Sequence, residues 1–311
     1  MQRKTLRLCG EKQITMKSKL LLTTIILLFT SVAFSQQKDF QTLTYFQNDS
    51  LNLDLFLPDG YDNAKPLPIV IYVFGGGFSV GQRENGHGFA RYLVKNNIAC
   101  ASISYTRYMK GKKRGFGCNG ITSEKMKAMQ IAVSQLWHAT AFVINNSREF
   151  NIDTTKIFIA GSSAGAETSL HAPYWNREQM QLFGSAGLPA DFCYAGVIGG
   201  AGAITDINLI TCDNMVPMMF FHGDKDKLVP YGTAAHHFCD PTATGWLMMF
   251  GSHSIAERLK ELNGICEMIT VKGGGHECAG KFIHQDQQVV VDFINRVLSG
   301  EHFIYEITME K

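Results

Sequence analysis

Several familiar signatures are missing from this sequence. There is no Cys-x-x-Cys pair and no cysteine–histidine spacing of a zinc site, so neither a redox dithiol nor a structural metal is expected. Residues 20–29 are apolar, but a helix needs roughly twenty such residues to cross a bilayer, so no stable membrane anchor is expected. There is no internal repeat and no low-complexity linker, which excludes repeat arrays.

A basic surface is lacking too. The whole chain has 29 Lys/Arg and 27 Asp/Glu, and the excess comes from the first 35 residues, leaving 23 and 26. The rest is slightly acidic, and no nucleic-acid partner is expected.

Those 35 residues have their own pattern. Lys17 and Lys19 precede the apolar run, and Ala33-Phe34-Ser35 offers a small-x-small cleavage site before Gln36-Gln37. This is the layout of a secretory signal peptide, so a secreted or periplasmic protein is expected. Met16 stands just before the basic flank and makes residues 1–15 a candidate mis-assigned start. No cysteine follows the apolar run, so no lipoprotein is expected. Residues 36–311 suffice for one large domain. They hold seven of the eight cysteines: Cys100, Cys118, Cys193, Cys212, Cys239, Cys266 and Cys278. An oxidising compartment allows some to pair. Cys100 and Cys193 lie in apolar stretches and are expected to be buried free thiols.

Residues 42–46 and 51–57, with the turn Pro58-Asp59-Gly60, predict an antiparallel opening hairpin. Short apolar runs at 68–74, 98–105, 156–160 and 216–221, with further candidates at 192–198 and 267–271, resemble strands covered on both faces. Helical spacing falls between them at 89–96, 123–150 (with Ser123 as N-cap), 164–171, 252–262 and 286–298. Strands alternating with helices imply an α/β fold with a mostly parallel sheet and helices on both faces. Residues 301–308 suit a late edge strand. Residues 172–191 and 232–251 break the alternation and read as lid-like insertions. Their Trp175 and Trp246 are candidate pocket residues.

Gly161-Ser162-Ser163-Ala164-Gly165 stands between a predicted strand and a predicted helix. A nucleophile on such a sharp turn needs small neighbours, and the helix start beside it favours negative charge. Ser163 is the candidate nucleophile; Ser162 is off the tip of the turn. Phe74-Gly75-Gly76-Gly77-Phe78 follows the strand at 68–74. Its backbone N–H groups can serve an oxyanion, with Ala164 and Gly76 or Gly77 as the expected donors. No phosphate-loop lysine follows these glycines. Asp224 and Asp226 follow the strand at 216–221; Asp226 is the favoured acid, Asp224 a turn support, and His222 a structural histidine. His276, after Gly273-Gly274-Gly275, is the expected base. His253 and His284 are weaker candidates. His236 and His237 sit in an insertion, and with His222 they match no strong metal pattern.

The order Ser163, Asp226, His276 and the motifs around them resemble the esterase and lipase branch of the α/β hydrolases. The chain is especially similar to bacterial feruloyl and acetyl-xylan esterase-like proteins. The resemblance rests on residues 74–78, residues 161–165, His222-Gly223-x-x-Asp226-x-x-Val229-Pro230 and Gly275-His276, with Tyr105-Thr106-Arg107 a looser match. It implies the α/β-hydrolase fold, a Ser163–Asp226–His276 triad, and hydrolysis of small-molecule or polysaccharide esters without a cofactor. Phe74 departs from the pattern, since many relatives carry there a histidine that can brace the oxyanion loop. A serine peptidase on short peptides, and a non-catalytic binding module on the same fold, are the competing functions.

Overall fold

A computed structural model describes residues 39–47, 50–60, 64–180 and 182–311. The expected signal peptide lies outside the described residues. From Phe40 to Lys311 the chain packs as one unit.

Nine strands form the main sheet, in the order β1 (Gln41–Phe46), β2 (Leu51–Phe56), β4 (Ala99–Ile103), β3 (Leu67–Val73), β5 (Ile152–Ser162), β6 (Gly196–Gly200), β8 (Met218–Gly223), β11 (Cys266–Lys272) and β12 (Ile304–Glu310). β1 and β2 make the expected antiparallel hairpin, and β2 is antiparallel to β4. Every other pairing is parallel. β12 is the late edge strand, two or three residues further along than the pattern implies.

Burial explains why β3, β4, β6 and β8 read as unbroken apolar runs. All the residues of β4, β6 and β8 are buried, and all but Pro68 of β3. Helices cover both faces of such strands, so no polar alternation survives. Ile69, Ile71, Phe158 and Phe220 are fully buried, and each contributes about 1.5–3 kcal/mol by leaving water.

The helices are α1 (His87–Val94), α2 (Thr122–Asn145), α3 (Ser147–Phe150), α4 (Ala164–His171), α5 (Ser252–Glu261), α6 (Lys281–His284) and α7 (Gln288–Leu298). Two helical expectations need correction. The helix expected to run to residue 150 breaks at Asn146, whose Nδ2 donates to the Phe142 carbonyl at 2.7 Å and competes for the backbone acceptor. Ser123 is not the cap. The helix begins after Ile121, without a side-chain cap, and Thr122 Oγ1 donates to the Trp246 carbonyl at 2.7 Å.

The cysteines also depart from expectation in part. Cys118 and Cys239 form a disulfide across 121 residues of sequence. Cys100 is a buried free thiol, but Cys193 is exposed. The sheet reaches this region only at Gly196, so Cys193 precedes the buried strand that its apolar neighbours suggest.

The insertions have different fates. Residues 232–251 supply β9 (Thr233–Ala235) and β10 (Met248–Gly251), which join β7 (Ala203–Ile204) in a small antiparallel sheet. Residues 172–191 carry no strand or regular helix among the described residues and, with Trp137 and Tyr194, wall a cavity of about 630 Å³ that Trp175 also borders. No described helix is long and apolar enough to cross a membrane.

Candidate active site

β5 ends at Ser162 and α4 starts at Ala164. Ser163 makes the whole turn between them, with φ 53° and ψ −125°. Non-glycine residues avoid this region, and it persists only where the surroundings impose it. Its neighbours impose it by contact. A Cβ on Gly161 would lie 2.3 Å from the Gly165 carbonyl carbon, and one on Gly165 would lie 2.1 Å from the Val73 oxygen. The glycines of the motif are therefore required by backbone packed on backbone. The Ser163 N–H donates to the Gly200 carbonyl at 2.8 Å, which ties the turn to β6. Ser162 points elsewhere, and its hydroxyl pairs with that of Tyr72.

Ser163 Oγ lies 2.8 Å from His276 Nε2, and His276 Nδ1 lies 2.7 Å from Asp226 Oδ2. A carboxylate oxygen can only accept, so Nδ1 carries the proton and Nε2 is free to accept from Ser163. Asp226 is held on every side. Its Oδ1 accepts from Leu228 N at 2.7 Å and Val229 N at 3.1 Å, and His222 Nε2 lies 3.2 Å from Oδ2. Burial alone would raise its pKa. The hydrogen bonds from His222 and His276 outweigh burial and hold the carboxyl well below the usual carboxylate range. Asp224 does different work. Its Oδ1 accepts from Gly273 N at 2.7 Å, joining the turn after β8 to the turn that carries His276.

The three glycines after β3 face this group. A Cβ on Gly75 would meet Ser162 O at 2.6 Å and Ser163 Cβ at 3.3 Å, so the loop touches the nucleophile turn. Gly76 and Gly77 have φ of 120° and 56°. The Gly76 carbonyl accepts from Ser79 N and Val80 N, which folds the loop back on itself. Among the described residues, neither the Gly76 nor the Gly77 N–H donates to a backbone carbonyl. The Ala164 N–H is in the first turn of α4, where no intrahelical acceptor exists.

The brace that Phe74 cannot supply comes from Tyr105 and Arg107. The Tyr105 hydroxyl donates to the Phe74 carbonyl at 2.9 Å, its ring stacks on that of Phe74, and Arg107 Nη1 donates to the Gly81 carbonyl at 3.2 Å.

A cavity of about 590 Å³ opens over Ser163. Its walls include Gly75–Gly77, Phe116, Leu228, His236, His237 and Glu167. Trp175 borders the other cavity and Trp246 neither. Trp175 packs on His171 instead, with ring centroids 4.1 Å apart. Sequence reasoning passed over Glu167 and His237 as pocket walls; their only signal is proximity to a motif and a histidine doublet. His222 is buried, with Nδ1 2.9 Å from Ser252 Oγ. Among the described residues no group of three or more His, Cys, Asp or Glu is arranged to hold a metal ion.

A nine-stranded, mostly parallel sheet with a nucleophile turn after β5 is the α/β-hydrolase fold. Esterase 2 of Thermogutta terrifontis, solved with propionate bound, superposes with a TM-score of 0.59 at 16% identity, covering 84% of this chain and 94% of that one. The BD-FAE family model matches residues 53–215, just over half the sequence, and the chain belongs to that family. The matched span contains the glycine loop and Ser163 but ends before Asp226 and His276.

Curated relatives are similar over shorter stretches. An isoprenylcysteine alpha-carbonyl methylesterase of Arabidopsis thaliana is 27% identical over 136 residues, which is 44% of this chain and 27% of the relative. Acetylcholinesterase 1 of Caenorhabditis briggsae is 30% identical over 180 residues, 55% and 28% of the two chains. The likeness thus spans little more than a quarter of those relatives' length.

Proposed function

We propose that this protein is a serine carboxylic ester hydrolase working through an acyl-enzyme. The observation that carries the reading is the continuous chain Ser163 Oγ–His276–Asp226, with contacts of 2.8 and 2.7 Å. In this reading His276 Nε2 takes the Ser163 proton as Oγ attacks the ester carbonyl. The developing oxyanion turns toward the N–H groups of Ala164 and of Gly76 or Gly77. Collapse releases the alcohol, which leaves with the proton from His276. Water then attacks the acyl-enzyme by the same route.

The names of the relatives and structural neighbours support ester chemistry. The cavity size suits a small-molecule ester or the end of a polysaccharide chain. Acetyl or feruloyl groups on carbohydrate are the substrates we favour, from the sequence resemblance. We also propose export through a cleaved signal peptide. The Cys118–Cys239 bridge supports this, since such bonds persist in oxidising compartments.

The test is the Ser163→Ala variant on p-nitrophenyl acetate, with fluorophosphonate labelling of the wild type. We expect turnover to fall by roughly 10⁴-fold or more and the label to sit on Ser163. Undiminished turnover would overturn the assignment.

A further inference from the structure

The pocket beside Ser163 contains more polar chemistry than the triad uses. Glu167 is on α4, one turn after the nucleophile, and is 1% exposed. His236, equally buried, brings Nε2 to 2.9 Å from Glu167 Oε1. The two atoms partner each other, while among the described residues His236 Nδ1 has no hydrogen-bond partner. Buried polar atoms without a partner are rare, and this one sits in the wall of the cavity.

His237 stands in front of this pair. It is partly exposed, lines the cavity, and packs on His236 with ring centroids 4.5 Å apart. Its backbone has φ 58°, and that of Phe238 has φ 52°. Two successive non-glycine residues in the left-handed region cost of order 1–2 kcal/mol each. They are held by neighbours: His237 N donates to the Leu228 carbonyl at 2.8 Å, Phe116 packs on both histidines, and the Cys118–Cys239 bridge anchors the next residue but one. Such strain collects where a side chain must be aimed.

The surroundings select what His237 can bind. Burial pushes its pKa down to about 4, with His236 and Lys125 adding to the effect. The ring is therefore neutral at ordinary pH and keeps one N–H donor and one lone pair. Burial would raise the Glu167 pKa, but the adjacent His236 outweighs that and lowers it. Glu167 and His236 offset each other, and Lys125 is itself buried with its ammonium donating to the Gly245 carbonyl at 2.8 Å, so neither offers a charge to hold an anionic ligand group. The carboxylate itself is too buried for a cation to reach. A neutral group that both donates and accepts remains, and a hydroxyl fits.

We propose that His237, backed by the His236–Glu167 pair, is the specificity-determining residue that recognises a hydroxyl on the ester substrate. This rests on Ser163 being the nucleophile of an ester hydrolase.

The experiment compares matched ester pairs. Methyl 4-hydroxyphenylacetate against methyl phenylacetate places the hydroxyl on the acyl side. Glycerol monoacetate against propyl acetate places it on the alcohol side. We expect the wild type to favour the hydroxylated member at least about fivefold in kcat/KM in one pair, the size of one hydrogen bond. That ratio should approach one in His237→Phe and survive in part in His237→Gln. Calorimetric binding of the same pairs to Ser163→Ala protein reads the preference without turnover. If the wild type hydrolyses none of these esters, the ester-hydrolase reading fails, and the binding ratios still decide the role of His237. Ratios near one in both pairs, or a preference kept undiminished in His237→Phe, would overturn the proposal.

Discussion

His222 and His276 meet on one oxygen of Asp226, at 3.2 and 2.7 Å. The carboxylate that positions His276 is therefore itself held by a second, buried imidazole. Asp226→Asn keeps the shape but offers an amide where an acceptor is needed. We expect a loss of roughly 10⁴-fold in kcat, as when the acid of such a relay is neutralised. His222→Gln keeps a donor with different reach and should lower kcat by about tenfold with little change in KM, as expected for a group acting only through Asp226. Steady-state kinetics on one ester checks both. A His222→Gln enzyme with raised KM and unchanged kcat would show that His222 serves binding instead.

Gly75 tests the contact between the glycine loop after β3 and the Ser163 turn. An added Cβ meets the Ser162 carbonyl at 2.6 Å, and backbone cannot rotate away as a side chain can. Gly75→Ala should shift the loop and lower kcat by about 10²-fold, the scale of losing one oxyanion donor. A wild-type kcat would mean that the loop yields elsewhere.

His171 gives the fold a pH dependence. It is fully buried, Nδ1 is 2.7 Å from the Glu167 carbonyl, and Thr205 N donates to Nε2 at 3.0 Å. That arrangement needs the neutral ring. Burial pushes its pKa down to about 4, against hydrogen bonding to the Glu167 backbone. Between pH 6.5 and 4 the unfolded chain binds the extra proton, so stability falls as pH drops through that window. The loss by pH 4.5 should be about 2–3 kcal/mol from this group. Urea unfolding at pH 7 and pH 4.5 measures it; a midpoint unchanged on acidification would contradict it.

The Cys118–Cys239 bridge closes a loop of more than 100 residues. Cutting it with paired serine substitutions should cost about 4 kcal/mol in the chain-entropy picture, lowering Tm by on the order of 10 °C. His237 should lose its fixed position as well, so the preference for hydroxylated esters should weaken with Tm. Thermal melts with and without reductant give the first result, and the ester pairs give the second.

Much of the sheet was legible in the sequence because parallel strands buried on both faces leave unbroken apolar runs, as at Ile69–Val73 and Met218–Phe221. The order of Ser163, Asp226 and His276 was legible because each follows its own strand. The contacts at Asp226 were not. His222 could be assigned a structural part, but nothing in its letter says which oxygen it reaches. The polar wall was hidden for a different reason. Glu167, His236 and Cys118 lie in three separate segments, and only tertiary packing makes them neighbours. Cys193 misled because its apolar neighbours precede the strand instead of forming it.

The backbone contact of Gly165 with Val73 and Phe74 has a consequence for how this site can change. The spacing between the Ser163 turn and the glycine loop is fixed by main chain against main chain, with no rotatable side chain in between. A second wall, at Phe116, Leu228, His236 and His237, is made of side chains. Mutation can reshape that wall while the reacting atoms keep their places. New substrates can thus be acquired one loop residue at a time, with no intermediate form that has lost its chemistry.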